Sequence, residues 1–227
     1  MKLFPFILCL TLLLPAAARS AEAKQDDHGA PAVDVKQEAD RWVLQGRRTR
    51  VDVNSSDLQM TLRTDGATWS TVASSAGDLV VEADGKTYTL HLADAQSRDI
   101  SPYRTGSKTG VKIALKDFRV NGSEIGLSIA LFACLKGSDE DFVCEVVADE
   151  SHCRVQECLW PPALAEDSFD TTVIPFMQGM LLPKDWPEKV WLYDTMSYGR
   201  GLYMPWWGHQ QKDAALLVLM ETPDDGG

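Results

Sequence analysis

Long hydrophobic runs are almost missing from this sequence. The N-terminal run covers residues 3–14, and the most apolar later stretch, residues 125–135, is interrupted by Gly126, Ser128 and Ala130. A helix that spans a bilayer needs about 20 predominantly apolar residues. We therefore expect no contact with a membrane once the N-terminal segment has been removed.

Positive charge is also scarce. The chain has 22 Lys and Arg residues against 33 Asp and Glu residues, which gives a formal net charge of −11 at pH 7. An acidic protein of this kind repels phosphate backbones. Nucleic acid is therefore excluded as a partner.

The common catalytic motifs are lacking. The sequence has no Gly-x-Ser-x-Gly elbow, no His-Glu-x-x-His, no phosphate-binding loop and no dinucleotide fingerprint. These motifs place a nucleophile, a zinc ion or a nucleotide phosphate at a defined point of a fold. We expect no cofactor and no metal, and the catalytic residues, if there are any, are unknown.

Cysteine is sparse and clustered. Cys9 lies in the N-terminal run, and the other cysteines are Cys134, Cys144, Cys153 and Cys158. An even number in an exported protein favours disulfides, and the simplest of three connectivities pairs Cys134 with Cys144 and Cys153 with Cys158. A zinc site that adds His152 is the alternative, but the paired Cys-x2-Cys spacing of structural zinc sites is missing.

The N-terminus has the layout of a secretory signal peptide. Lys2 precedes the apolar run, and the small residues that follow end at Ala23. This pattern predicts a signal peptide over residues 1–23, cleaved after Ser20 or Ala23, and a secreted or periplasmic product. Residues 24–38 are polar and lack an apolar period, so we expect a flexible leader there and an ordered domain over residues 39–227.

The remainder of the chain is rich in strand patterns. Asp84-Gly85 and Asn121-Gly122 each stand between two alternating segments, and such dipeptides supply the positive φ angles of tight hairpin turns. Residues 125–132 alternate between aliphatic and small side chains, and no helical period of any length occurs. The sequence therefore predicts an all-β, antiparallel β-sandwich.

Aromatic residues are concentrated near the C-terminus. Seven lie there, beside several acids and a histidine: Trp186, Trp191, Tyr193, Tyr198, Tyr203, Trp206 and Trp207. Flat rings stack on the C–H faces of sugars, while neighbouring polar groups bond to hydroxyls. Core filling between sheets is the alternative interpretation for any single ring.

These considerations give a set of candidate carbohydrate-binding residues: Trp191, Asp194, Tyr203, Trp206, Trp207 and His209. The two adjacent tryptophans are bracketed by Pro205 and Gly208, which indicates a loop or strand end. A glycosidase needs two carboxyl groups about 5 to 10 Å apart. Several acids near the C-terminus read only as solvated surface groups: Asp194, Glu221, Asp224 and Asp225.

Three segments carry a resemblance to a known family: residues 172–183 (TVIPFMQGMLLP), 203–208 (YMPWWG) and 216–225 (LLVLMETPDD). They resemble the N-terminal domain of certain glycoside hydrolases of the endo-α-N-acetylgalactosaminidase type. In that family a galactose-mutarotase-like β-supersandwich precedes a (β/α)8 barrel.

The resemblance implies that the catalytic carboxyls lie on a barrel missing from this chain. The partners would be a carbohydrate and that barrel, and the chain would be a fragment or a truncated product. Two other hypotheses remain open. One is a self-sufficient exported carbohydrate-binding or structural sandwich, and the other is an aldose epimerase, for which His152 and His209 are the available histidines.

Overall fold

The computed structural model describes residues 29–176, 179–187 and 204–221. Within these ranges the chain consists of antiparallel strands and two short 3-10 turns, Leu92–Asp94 and Glu166–Ser168. This confirms the predicted all-β, antiparallel sandwich. No helix in the described part has both the length and the apolar character needed to cross a membrane.

The first sheet is a meander of five strands in chain order. Its strands are β1 (Asp34–Glu38), β2 (Arg41–Gln45), β3 (Arg50–Asn54), β4 (Met60–Thr64) and β5 (Ala67–Ser70). The flexible leader expected over residues 24–38 is therefore wrong from Asp34 onward. Strand β1 has only one apolar residue, Val35, which packs against the core, so it is ordered by its ladder with β2 rather than by an apolar period of its own.

The middle of the chain forms three further sheets. Its strands are β6 (Leu79–Ala83), β7 (Lys86–Leu90), β8 (Ser97–Arg104), β9 (Lys108–Lys116), β10 (Arg119–Val120), β11 (Ser123–Glu124), β12 (Leu127–Lys136), β13 (Asp141–Glu150) and β14 (Cys153–Cys158). A four-stranded sheet has the order β13-β12-β9-β8, a three-stranded sheet has the order β14-β6-β7, and β10 pairs with β11.

Both predicted tight turns are present. Asp84 and Gly85 have φ angles of 51° and 69°, and Asn121 and Gly122 have φ angles of 51° and 83°. The first turn joins β6 to β7 directly. The second joins the two-residue strands β10 and β11, while the long strands on either side of them, β9 and β12, pair in the larger sheet.

One continuous core lies between the first sheet and the middle sheets. Leu44 and Val53 from the first sheet join the same cluster as Val81, Ile113 and Leu131. The alternation predicted for β12 is confirmed, since Leu127, Ile129 and Leu131 are at most 1% exposed. The burial of these apolar side chains is what holds the two layers together.

The expected disulfides are not formed, because all four cysteines are free. Ala133 pairs with Cys144 and Cys134 with Val143, so the side chains of Cys134 and Cys144 point to opposite faces of the sheet. Cys153 and Cys158 both pack against the core from one strand, because a bulge between Val155 and Glu157 shifts the alternation. The alternation of side chains therefore separates Cys134 from Cys144, and the length of β14 separates Cys153 from Cys158.

The end of the chain builds a separate four-stranded sheet, here called the terminal sheet. Its strands are β15 (Thr171–Ile174), β16 (Met180–Pro183), β17 (Trp206–Gln211) and β18 (Ala214–Leu219), in the order β16-β15-β17-β18. The preceding turn is fastened to β5: Ser70 N donates to Ser168 Oγ at 2.9 Å, and Ala165 N donates to Ser70 O at 2.8 Å. The terminal sheet is therefore anchored to the first sheet through its entry turn.

Candidate functional site

The adjacent tryptophans open strand β17, at a strand end as the bracketing Pro205 and Gly208 predict. Trp206 pairs with Leu219 and Trp207 pairs with Val218. Successive residues of a strand point to opposite faces, so the two rings lie on opposite faces of the terminal sheet. Both are partly buried.

The face that carries Trp206 is apolar and open. Leu217 pairs with Gly208 across β17, and Val173 and Leu181 continue the same row across β15 and β16. Leu217 is 58% exposed and Leu181 is 61% exposed. Large apolar side chains that lie together in the open are typical of contact surfaces. We call this set of side chains the outer face of the terminal sheet.

The opposite face, with Trp207 and His209, is more polar at its centre. His209 pairs with Thr172 across the sheet, and their Nδ1 and Oγ1 atoms lie 3.1 Å apart in a hydrogen bond. The ring of Phe169 lies against the His209 ring, with 4.7 Å between centroids and an interplanar angle of 47°. Burial lowers the pKa of His209, which keeps the imidazole neutral at pH 7.

A shallow concavity of about 310 Å³ opens beside this histidine. It is lined by Glu166, Phe169, Thr172, Leu182, Pro183 and Lys184. One carboxylate, one ammonium group, one hydroxyl and one aromatic ring therefore border the same space. We call it the Phe169 concavity.

The rim of the Phe169 concavity is held by backbone hydrogen bonds. Lys184 N donates to Asp170 O at 2.9 Å, and Asp170 N donates to Gln210 O at 2.7 Å. The Lys184 ammonium lies 3.7 Å from Asp170 Oδ1. Because Lys184, which follows β16, and Gln210 of β17 both bond to Asp170, the concavity exists before any ligand arrives.

A second concavity, of about 490 Å³, lies between β7, the turn after it and the start of β10. Its lining includes Leu90, Asp94, Gln96, Phe118 and Arg119. Phe118 is only 1% exposed and belongs to the hydrophobic core, so it offers no ring face to a ligand. The smaller concavity is the better candidate for a hydroxyl-rich ligand because an accessible aromatic ring is the feature that sugars require.

The structure brings together three of the residues that the sequence put forward, Trp206, Trp207 and His209, in strand β17. Trp191, Asp194 and Tyr203 lie outside the described residues. Glu221 follows β18, is exposed as expected, and lies 3.4 Å from the ammonium of Lys136.

Four residues that line the Phe169 concavity are not among the candidates predicted from the sequence: Glu166, Phe169, Thr172 and Lys184. Thr172 belongs only to a segment that carries the family resemblance, and Phe169 stands alone in a polar stretch. The polar pattern Glu-Asp-Ser before Phe169 signals a turn but not a site. Their proximity depends on the strand order of the terminal sheet, which places β15 between β16 and β17.

The two histidines considered for an epimerase do not share a sheet. His152 is exposed in the turn between β13 and β14, whereas His209 lies in the terminal sheet. Among the residues that the structure describes, no group of three or more His, Cys, Asp or Glu side chains is arranged to hold a metal ion.

Known structures match the fold over most of the chain. The α-N-acetylgalactosaminidase NagBb from Bifidobacterium bifidum, in its complex with GalNAc, superimposes with a TM-score of 0.66 at 24% sequence identity over 80% of this chain. The ligand-free form of the same enzyme gives a TM-score of 0.64 at the same identity. A likeness at this identity establishes the fold.

The match covers only part of that enzyme. The chain spans 29% of the length of the α-N-acetylgalactosaminidase chain that it matches. No protein-family model matches the sequence. No curated protein matches it either.

Proposed function

We propose that this chain is the β-sandwich portion of an exported glycoside hydrolase. It supports and flanks a catalytic (β/α)8 barrel, and the terminal sheet contributes contacts to carbohydrate. The observation that carries the proposal is the superposition on an α-N-acetylgalactosaminidase, with a TM-score of 0.66 over 80% of this chain but only 29% of the enzyme. The resemblance of residues 172–183 and 203–208 to glycoside hydrolases of this type points the same way.

The terminal sheet supports this role through the different chemistry of its two faces. The outer face carries the exposed Leu217 and Leu219 beside the partly buried Trp206, which suits packing against a further domain or a sugar. The opposite face carries the Phe169 concavity with its hydroxyl, carboxylate and ammonium groups. A sandwich that flanks a cleft needs both kinds of surface.

The buried Glu140 illustrates why the catalytic acid is sought elsewhere. A glycosidase general acid needs a raised pKa so that it is protonated near neutral pH. Burial alone would raise the pKa of Glu140, but hydrogen bonds from the N–H groups of Arg48, Arg47 and Thr49 outweigh it and hold that pKa below its usual value. This carboxylate is therefore structural.

Two measurements test the proposal together. The coding sequence that follows the codon for Gly227 is expected to encode a (β/α)8 barrel, and the purified exported chain is expected not to hydrolyse aryl α-N-acetylgalactosaminides. Turnover by the chain alone that disappears in Asp194→Asn or Glu221→Gln would overturn the assignment of the chemistry to a barrel.

A self-sufficient exported carbohydrate-binding sandwich is the second candidate. The Phe169 concavity favours it, because it places an aromatic ring, a hydroxyl, a carboxylate and an ammonium group around one space within this sandwich. A gene that encodes no barrel, combined with sugar binding by the purified chain, would select this candidate over the first.

A further inference from the structure

We propose that the Phe169 concavity is a binding subsite for one neutral sugar ring. This inference rests on the proposed carbohydrate function and specifies where within the terminal sheet a saccharide unit is held. None of the residues that the sequence put forward lines this concavity, whose lining is Glu166, Phe169, Thr172, Leu182, Pro183 and Lys184.

The lining groups match the two kinds of surface that a pyranose presents. The faces of the ring carry C–H groups, which pack on an aromatic ring such as Phe169 and on the aliphatic side chains of Leu182 and Pro183. Its edge carries hydroxyls, each of which both donates and accepts hydrogen bonds. The Glu166 carboxylate can only accept hydrogen bonds and the Lys184 ammonium can only donate them. The rim therefore offers sugar hydroxyls both an acceptor and a donor.

The charges on the rim favour a neutral ligand. Asp170 lies 3.7 Å from the Lys184 ammonium, and Glu166 adds a second carboxylate at the border. An anionic ligand would meet these two carboxylates against one cation that is already paired. A purely apolar ligand would leave the ionic groups without hydrogen bonds, which costs free energy when they are desolvated.

The volume limits the ligand to one ring. A space of about 310 Å³ is at the lower end of the range of about 300–1,000 Å³ found for small-molecule sites. A single hexose fits such a space, whereas an oligosaccharide would have to extend beyond it. The concavity is open, so further units of a glycan can continue into solvent or along a neighbouring domain.

His209 acts on this subsite through Thr172. The 3.1 Å hydrogen bond between His209 Nδ1 and Thr172 Oγ1 fixes the hydroxyl, and the Phe169 ring packs against the imidazole at 4.7 Å. His209 is therefore a positioning residue that holds both the hydroxyl and the aromatic ring in place. Burial lowers its pKa, so this arrangement is retained with a neutral imidazole at pH 7.

Titration of the full chain with single sugars tests the subsite. N-acetylgalactosamine, galactose and glucose are added separately at pH 7, and binding is followed by amide chemical shifts and by calorimetry. At least one sugar is expected to shift the amides of Phe169, Thr172 and Lys184. Glu166→Gln and Lys184→Gln are each expected to weaken the affinity for that sugar about fivefold or more, the effect of losing one charge-assisted hydrogen bond.

Matched controls use the same chemical changes at residues that do not line the concavity. Glu124→Gln and Lys86→Gln alter exposed residues beside the Asn121-Gly122 and Asp84-Gly85 turns and are expected to leave affinity unchanged. Thr172→Val should weaken binding while Thr172→Ser, which keeps a hydroxyl, should restore most of it. Thermal melts on each variant show whether the fold is intact.

The outcomes separate this inference from the proposed function. If no sugar binds, or if binding is unchanged by Glu166→Gln, Lys184→Gln and Thr172→Val, the subsite is refuted. The gene test and the turnover test of the exported chain do not depend on this concavity, so the glycoside hydrolase proposal can stand when the subsite fails. Conversely, sugar binding at Phe169 in a gene without a barrel would uphold the subsite alone.

Discussion

The carboxylate of Glu140 fills the space that a side chain at Gly46 would need. A Cβ placed on Gly46 would lie 2.6 Å from Glu140 Oε2. In this position the carboxylate accepts hydrogen bonds from the backbone N–H groups of Arg47, Arg48 and Thr49, at 2.6, 2.9 and 2.8 Å. The turn between β2 and β3 is thereby fastened to the turn between β12 and β13, which joins the two layers of the sandwich.

Glu140→Gln is expected to destabilise the protein by about 2 kcal/mol, because a neutral amide replaces a buried carboxylate that accepts three hydrogen bonds. Since folding lowers the pKa of Glu140 below its ordinary 4.5, its contribution is complete above pH 4.5 and is lost as the pH falls through the folded value. Denaturant unfolding at pH 7 and pH 3 measures this. The difference between wild type and variant should shrink at pH 3, while the exposed control Glu124→Gln should show little effect at either pH.

Gly46→Ala is expected to destabilise the protein by about 1 to 3 kcal/mol, since the new methyl group overlaps the Glu140 carboxylate. In a Glu140→Ala background the same change should cost far less, because the overlapping atoms are gone. A double-mutant cycle on the free energy of unfolding measures the coupling. Equal costs in both backgrounds would show that the contact between these two residues is unimportant.

The two tryptophans are expected to respond differently to truncation. Trp207 shares its face with Ile174, which is 7% exposed, so Trp207→Ala should cost about 3 kcal/mol of stability. Trp206 lies on the outer face, so Trp206→Ala should leave the fold intact and remove about 1 kcal/mol or more of glycan affinity. Thermal melts and oligosaccharide titrations separate the two. Large stability losses in both variants with unchanged binding would contradict a carbohydrate platform.

The four cysteines are expected to be free and slow to react in the native protein. Burial raises the pKa of Cys134 to about 11 and that of Cys158 to about 12, which leaves almost no thiolate at pH 8. A thiol reagent should therefore label them fully only after unfolding, with Cys153 first among them under native conditions because it is less enclosed. Mass spectrometry without reductant that finds two disulfides would contradict the structure.

The sequence predicted well wherever the signal was local. The φ angles demanded at Asp84-Gly85 and Asn121-Gly122 are properties of those dipeptides, and both turns formed as expected. The alternation in β12 identified its core face because a strand buried on one side needs that period. The fold class and several of the strands could therefore be predicted from such short patterns.

Features that depend on contacts between residues distant in the chain could not be predicted from the sequence. Strand β1 is ordered by its pairing with β2, and the polar sequence of the segment does not indicate a strand. The bulge in β14 changes which way Cys158 points, and nothing in residues 153–158 marks it. Phe169 and His209 are distant in the sequence, and their contact depends on the order of the strands in the terminal sheet. The candidate site could therefore be predicted only in part.

Strand β1 also determines how the first sheet ends. It is the outermost strand, and an exposed edge offers unpaired N–H and C=O groups to any other strand it meets. Asp34, Lys36 and Glu38 place alternating charges along this edge, and the Lys36 ammonium lies 2.9 Å from Glu38. A second molecule that docked edge to edge would have to desolvate these ions. The charges on β1 therefore oppose edge-to-edge pairing of two copies of this protein.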